Sequence, residues 1–354
     1  MAHNPGTLIL RSDASTAMGT GHVMRCFALA QAWQDAGGRP IFASAEAAPA
    51  MRERLLAANI EIVPLEISVG GEDDARKVEE LALHHAASWV VVDGYQFGAD
   101  YQRQLKAAGL RLLFLDDNGH AGHYSADIVV NQNAHADESL YSHRESYTRL
   151  LLGTRFVLLR REFERWRDWS REVALVGRKV LVLMGGSDPC DTTSLTVRSL
   201  QRADVEGIEV VIVMGGSNPH LQSVQRLAAT FRAATVLRDT SNVSQLMAWA
   251  DVAFSAAGST AWELAYMGLP SLLLEVLEHQ SPVAKAMAAN AAGVNLGWFA
   301  DIKEEGLARA AGDLLRDNAR RKQMMESGRR LVDGKGARRV TRILCGNSGL
   351  AESA

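Results

Sequence analysis

Short apolar runs alternate with amphipathic stretches along most of this chain, and the spacing predicts alternating strands and helices. Strands are predicted over Thr7–Arg11, Arg39–Ala43, Glu61–Pro64, Trp89–Asp93, Arg111–Asp116 and Asp127–Asn131. Between them fall helices over Val23–Ala36, Ala50–Ala58, Asp74–Ala86 and Asp100–Ala108. Trp89–Asp93 lacks polar alternation, as a strand buried on both faces would. The charge-rich stretch Arg160–Gly177 breaks the rhythm and reads as a helical connection. A second series follows. Its strands are Lys179–Met184, Glu209–Met214, Ala234–Leu237, Val252–Ser255 and Ser271–Leu274. Its helices are Thr192–Ala203, Leu221–Ala229, Val243–Ala250, Thr260–Met267 and Pro282–Ala292, with mostly helical sequence beyond. Such alternation implies parallel sheets covered by helices on both faces.

Length and composition fit this picture. A chain of 354 residues suggests about two domains. We place the first at 1–165, the second at 175–335, and a tail at 336–354 that packs back on the first. With 47% hydrophobic and 22% charged residues, the chain can fill two cores. No run approaches the roughly 20 apolar residues of a membrane span, and the opening MAHNPGTLILRSD lacks the basic start of a secretory signal. The net charge of −3 argues against broad nucleic-acid binding. From Arg316 to Arg342, however, ten basic residues face three acidic ones; a solvated helical face partly pairing with the acidic first domain is the expected reading, with loose attraction to anionic lipid as the alternative. Cys26, Cys190 and Cys345 form neither a disulfide framework nor a metal pattern, which fits a reducing cytoplasm.

The candidate chemistry sits at the strand ends. Arg11-Ser-Asp-Ala-Ser-Thr-Ala-Met-Gly-Thr-Gly-His-Val-Met-Arg25 runs from a strand through a glycine loop into a helix. Gly19 and Gly21 permit close backbone approach. His22 meets the unpaired N–H groups of a helix start, whose field disfavours imidazolium and suits a general base. The plain alternative is a surface histidine near a cap. The dinucleotide fingerprint is absent, because Met24 stands where its third glycine belongs. Asp13, Gly19, Gly21 and Arg25 are candidates for substrate binding. Val91-Val-Asp-Gly-Tyr95 puts Asp93 and Tyr95 at the end of a buried strand, either in the site or in an ordinary turn.

Asp116, Asp117, His120 and His123 invite a metal, but their spacing suits no single helical face, so loop hydrogen bonding is expected and no metal or cofactor. Nearby Ala126–Asn133 ends in Asn-Gln-Asn. Leu183-Met-Gly-Gly-Ser-Asp-Pro189 is a phosphate-type turn, with Gly185, Gly186 and Ser187 offering donors. Met214-Gly-Gly-Ser-Asn-Pro219 nearly repeats it and reads as fold repetition. In Ser255–Pro270, Gly258, Ser259 and Thr260 open a helix, and Glu263 is placed to reach a ribose diol. Leu277-Glu-His-Gln280 closes the series with His279 and Gln280.

Two Rossmann-like domains facing a cleft would make an α/β fold of the GT-B type. Over nearly the whole chain the sequence resembles PseG-type UDP-sugar hydrolases of pseudaminic-acid biosynthesis, relatives of MurG-type glycosyltransferases. Arg11–Arg25, Val91–Tyr95, Gly153–Phe163 (GTRFVLLRREF), Gly185–Pro189 and Ala257–Pro270 carry the resemblance. It implies metal-independent removal of UDP from UDP-2,4-diacetamido-2,4,6-trideoxy-β-L-altropyranose, with water attacking the anomeric carbon and inverting it. It puts the family's catalytic histidine on His22 and its cleft tyrosine on Tyr95. The family commonly has Asn-Gln where this chain has His279-Gln280, which makes His279 a third catalytic-site candidate with altered charge and reach. The expected partner is a small UDP-sugar, with no nucleic acid and no stable membrane insertion. The rival readings are a MurG-like transferase and a non-catalytic nucleotide-sugar-binding protein.

Overall fold

The structure is a computed structural model that describes residues 4–14, 20–46, 48–216 and 218–346. The chain divides into two compact units. The first takes in the opening strand, Thr20–Arg161 and the chain from Gly334; the second holds Glu162–Asp333.

The first unit is built on seven parallel strands: β1 (Thr7–Ser12), β2 (Arg39–Ser44), β3 (Glu61–Pro64), β4 (Ala87–Asp93), β5 (Leu112–Leu115), β6 (Ile128–Asn131) and β7 (Arg149–Leu152). Their order is β3-β2-β1-β4-β5-β6-β7. Strand residues alternate between two cores, as the period of two demands. Leu8, Leu10 and Val91 pack with Phe27, Trp33 and Leu55 on one face. Ile9, Val90 and Val92 pack with Val78, Tyr101 and Leu105 on the other. Both faces being apolar, β1 and β4 read as unbroken hydrophobic runs. The helix Gly336–Leu344 joins the first core through Val340 and Leu344. Trp89 Nε1 on β4 donates to the Leu344 carbonyl at 2.9 Å.

The second unit carries six parallel strands: β8 (Lys179–Leu183), β9 (Glu209–Met214), β10 (Ala234–Arg238), β11 (Val252–Ala256), β12 (Ser271–Glu275) and β13 (Val294–Trp298). Their order is β10-β9-β8-β11-β12-β13. Val180, Val182, Phe254 and Leu272 meet Val197, Leu200, Leu307 and Leu314 in its core.

Three sequence expectations need correction. β7 and β13 were not expected. Each is an edge strand, paired on one side only, so it needs less apolar pattern than a central strand. The stretch after Arg160 is not an α-helix: Arg161–Trp166 forms a 3₁₀ helix, and extended or irregular chain follows to β8. The basic stretch is only partly a solvated face. Arg321, fully buried, donates to the Leu314 carbonyl at 2.6 Å, to that of Leu315, and to that of Ala174 at 2.6 Å. Arg329 donates to the carbonyls of Trp169 at 2.6 Å and Arg167 at 2.9 Å. Among the described residues no helix is long and apolar enough to cross a membrane.

Arg171 explains how the irregular stretch is held. It is buried, and its guanidinium donates to the carbonyls of Met247 at 2.5 Å, Ala250, and Met267 at 3.4 Å. These carbonyls lie at the C-terminal ends of the helices Val243–Trp249 and Thr260–Tyr266, where partners are missing within the helix and negative potential collects. One side chain therefore stitches two helix ends to the chain entering β8. Arg171→Met keeps the bulk and removes every donor. Leaving buried carbonyls unpaired costs about 1–3 kcal/mol, so scanning calorimetry should show the melting temperature down by about 3–8 °C. Arg171→Lys, with fewer donors in a different geometry, should recover only part of the loss.

Candidate active site

Register decides which residues meet. Ser12 of β1 lies level with Asp93 of β4, and Asp93 lies level with Leu115 of β5. Residues just past these three positions therefore gather at one sheet edge. The strand order reverses direction between β1 and β4, and ligands of doubly wound sheets bind outside the strand ends at such a switch point.

His22 stands in the first turn of the helix Gly21–Asp35, after β1. Its Nδ1 lies 2.7 Å from Asp93 Oδ1. A carboxylate only accepts, so Nδ1 carries the proton; in the neutral form of the ring Nε2 is then the acceptor. Arg25, one turn further along the same helix face, donates from Nε to Asp93 Oδ2 and from Nη2 to Asp93 Oδ1, both at 2.6 Å. Its Nη1 donates to Asp117 Oδ1 at 2.6 Å. The Cys26 thiol donates to Asp93 Oδ2 at 3.6 Å. Asn133 Nδ2 adds a bond to Asp117 Oδ1 at 2.8 Å, and the Tyr95 hydroxyl donates to Asp117 Oδ2 at 3.3 Å.

Tyr95 reaches this position across Gly94. That glycine has φ +151°, and a Cβ there would fall 2.6 Å from Gln96 Oε1. The Tyr95 ring then meets His22 edge-on, with centroids 4.8 Å apart, and it is 38% exposed where His22 is 8% exposed. On its other side lies His120 at 5.4 Å.

Burial raises the pKa of Asp93, but Arg25 and His22 outweigh it and hold the carboxyl below its usual range. The same balance holds for Asp117, where Arg25 is the leading counterweight to burial. Burial pushes the Tyr95 hydroxyl up, and the Asp117 charge adds to it. The Cys26 thiol is raised by burial and by Asp93, so it stays protonated and serves as a donor.

The first unit thus brings together His22, Arg25, Asp93 and Tyr95. Gly21 opens the helix, and Gly19 lies outside the described residues. Asp13 has partners of its own. It is buried, pairs with Arg11 Nη1 at 2.7 Å, and accepts from Ala45 N at 2.7 Å, Glu46 N at 3.1 Å and Ser44 Oγ at 3.1 Å. Its oxygens hold the chain after β2. The helix-start field also proves to be only part of the setting of His22, since a buried carboxylate faces the ring. Asp117 and Asn133 were missed as site residues. Their signal was the Asp-Asp doublet and the Asn-Gln-Asn run at consecutive strand ends of one parallel sheet. Asp116 closes its own loop, accepting from the backbone of Asn118 at 2.8 Å and Gly119 at 3.1 Å, from His120 Nδ1 at 3.2 Å, and from the Tyr124 hydroxyl.

In the second unit the candidates again gather beside a switch point, between β8 and β11. Gly185 (φ +88°), Gly186 and Ser187 follow β8. Gly258 and Ser259 follow β11, and Thr260 opens the helix Thr260–Tyr266, with half-buried Glu263 in its first turn. Gln280 Oε1 accepts from Val276 N at 2.9 Å and Leu277 N at 3.3 Å, so its carbonyl end holds the turn after β12. Its amide nitrogen would lie 4.0 Å from a Cβ on Gly258. His279 is exposed and belongs to this unit.

The chain is 30% identical over 234 residues to the spore coat polysaccharide biosynthesis protein SpsG of Bacillus subtilis, which covers 66% of this chain and 68% of that protein. The chain belongs to the SpsG family. Residues 180–337 of this SpsG-family chain match the glycosyltransferase family 28 C-terminal domain. A UDP-2,4-diacetamido-2,4,6-trideoxy-β-L-altropyranose hydrolase of Campylobacter jejuni is 24% identical over 242 residues, 68% of this chain and 81% of that one. The crystal structure of MurG from Acinetobacter baumannii superposes with a TM-score of 0.65 at 15% identity, over 96% of this chain and 99% of that chain. The fold of the SpsG-family chain is of the GT-B type.

The lowered carboxyls have a consequence for acid stability. Each binds its proton more readily in the unfolded chain, so its contribution is complete above the ordinary value of about 4 and drains away as pH falls through the lowered one. The urea midpoint should therefore drop below about pH 4. Asp93→Asn should lower the midpoint at pH 7 and flatten that acid loss.

Proposed function

We propose that this chain hydrolyses a UDP-linked 2,4-diacetamido-2,4,6-trideoxy sugar, the altropyranose by the resemblance, to free sugar and UDP. The observation that carries this reading is the His22–Asp93 pair, 2.7 Å between Nδ1 and Oδ1, which fixes the ring and leaves Nε2 as a base. His22 Nε2 takes a proton from water. The water oxygen attacks the anomeric carbon, and the carbon–oxygen bond to the β-phosphate breaks on the opposite face with its electron pair leaving on UDP. The configuration inverts. UDP departs with its terminal phosphate dianionic and three negative charges in all, a stable leaving group, so the demand falls on orienting water and holding the departing charge. General base catalysis of this kind supplies about 10²–10⁴-fold.

Donors at Gly185, Gly186, Ser187, Gly258, Ser259 and Thr260 would hold the diphosphate, with Glu263 on the ribose. Tyr95 and His279 would shape the sugar site. Gly21, Arg25 and Asp93 would act around the base itself, with Gln280 keeping the turn that carries His279. The name of the Campylobacter relative supports hydrolysis of such a sugar nucleotide. The family 28 domain favours a second reading, transfer of the sugar to an acceptor hydroxyl in place of water.

Incubation with the UDP-sugar in oxygen-labelled water separates the two. Hydrolysis gives UDP without an added acceptor, the UDP carries no label, and the first-formed sugar is the inverted anomer. No release of UDP without an acceptor would sink the hydrolase reading in favour of transfer. His22→Ala should cut turnover by about 10²–10⁴-fold while UDP still binds. Glu263→Gln should weaken UDP binding about tenfold in titration calorimetry, the cost of a charged hydrogen bond of about 1.4 kcal/mol or more. Unchanged affinity there would remove the ribose assignment.

A further inference from the structure

The cluster around His22 is short of positive charge. Arg25 is a single cation, and its guanidinium is divided between two carboxylates, bidentate on Asp93 and single on Asp117. With a neutral His22 the four groups sum to one negative charge; with imidazolium they sum to zero. Asp93 alone would be balanced by Arg25. Asp117 is therefore the group that leaves the set one charge short.

We infer that Asp117 is a positioning residue for the reaction, holding Arg25 against Asp93 and Tyr95 against His22, and supplying the charge that compensates the proton His22 takes from water. This rests on the reading of His22 as base. Every group it needs is in the first unit, and together they come from one helix and the ends of three strands. His22, Arg25 and Cys26 sit on one helix, Asp93 ends β4, Tyr95 follows it, Asp117 follows β5 and Asn133 follows β6. The remaining titratable neighbours are His120, across the Tyr95 ring and bonded to Asp116, and His135, which burial holds low. Neither sits between Asp117 and Arg25, whose atoms are 2.6 Å apart.

Two routes run from Asp117 to the base. One is mechanical. Oδ1 fixes Nη1 of Arg25, whose other two nitrogens fix Asp93, and Oδ2 accepts from the hydroxyl of the ring that packs on His22. The other is electrostatic. A proton arriving on Nε2 brings the cluster to neutrality in a poorly solvated place, where charge balance matters more than in water. No redox or covalent step is involved; the proton leaves water and rests on His22 until the site is regenerated.

The test is the pH behaviour of His22 in Asp117→Asn, which keeps the shape and an acceptor oxygen and removes the charge. With ¹⁵N-labelled histidine in the ligand-free protein, the His22 titration midpoint should fall by about one pH unit, the size expected of a nearby lost charge. In turnover assays kcat should fall about tenfold with KM changed less than about threefold, and the acid limb of kcat/KM, which reports the free enzyme, should move down with the NMR midpoint. Asp117→Glu should restore part of both. Asn133→Ala removes a donor from Asp117, leaves its charge less compensated, and should move the midpoint up. A folded Asp117→Asn with an unmoved His22 midpoint overturns the inference. Should that variant fail to fold, an unmoved or lowered midpoint in Asn133→Ala overturns it. The NMR arm needs no substrate, so absence of hydrolysis by the parent protein would count against the function while the role of Asp117 is still decided.

Discussion

The first unit depends on how Arg25 is neutralised. A guanidinium and two carboxylates lose water when the sheet closes over them, and that desolvation costs several kcal/mol per ion unless geometry returns it. Here it is returned by three charge-assisted bonds of 2.6 Å from one planar group. Because Asp93 ends β4 and Asp117 follows β5, the same bonds tie two strand ends to the helix that starts after β1. A lysine could not do this, since it has one ammonium and no fork. The direction of His22 follows from the constraint: the ring shares Asp93 with Arg25, so its orientation is fixed by a carboxylate that cannot move.

A second buried cation supports the same edge from below. Arg11 donates to both oxygens of Asp74 at 2.8 Å and pairs with Asp13 at 2.7 Å, while the Tyr101 hydroxyl donates to Asp74 at 3.0 Å. This set binds β1 to the helix Glu72–His84 and to the chain after β2, and so steadies the strand from which the glycine loop departs. The second unit treats its buried arginines differently. Arg171 and Arg321 serve main-chain carbonyls at helix ends. The contrast is physical. Carbonyl partners satisfy a cation without adding a countercharge that could respond to a proton, whereas carboxylates around Arg25 make a set whose net charge depends on His22.

Most of the architecture is legible in the sequence because central parallel strands must be apolar on both faces, and Leu8–Leu10 and Trp89–Val92 announce this. Edge strands carry no such requirement and are less uniformly legible: β3 and β10 were expected, β7 and β13 were not. The irregular chain after Arg160 was hidden for another reason. Its alternating charges imitate an exposed helix, but Arg171 finds its partners on helices about 80 to 100 residues away, and only tertiary structure shows that. In the site, His22, Asp93 and Tyr95 are legible from their places at strand ends. Asp117 is not distinguishable from Asp116 by position alone. One faces Arg25 and the other closes its own loop, a difference set by the turn that separates their side chains. Asp13, a conspicuous acid beside a glycine loop, also holds backbone, a role that sequence alone did not show.

The repeated phrase Met-Gly-Gly-Ser shows why local similarity must be read through packing. At Gly215 a Cβ would lie 2.2 Å from the Gly186 carbonyl oxygen, and at Gly216 it would lie 2.4 Å from Asp239 Oδ2. At Gly215 the clash is with backbone, so that glycine is required by close approach, whereas at Gly216 the Asp239 side chain would have to swing aside. Gly185 meets nothing within 4 Å of its Cβ position; what it requires is a φ of +88°. The two phrases thus answer different demands. One turns the chain after β8, and the other lets the chain after β9 pass against it. A shared motif at adjacent parallel strand ends can therefore come from the packing of one loop on its neighbour, with no second ligand to account for it.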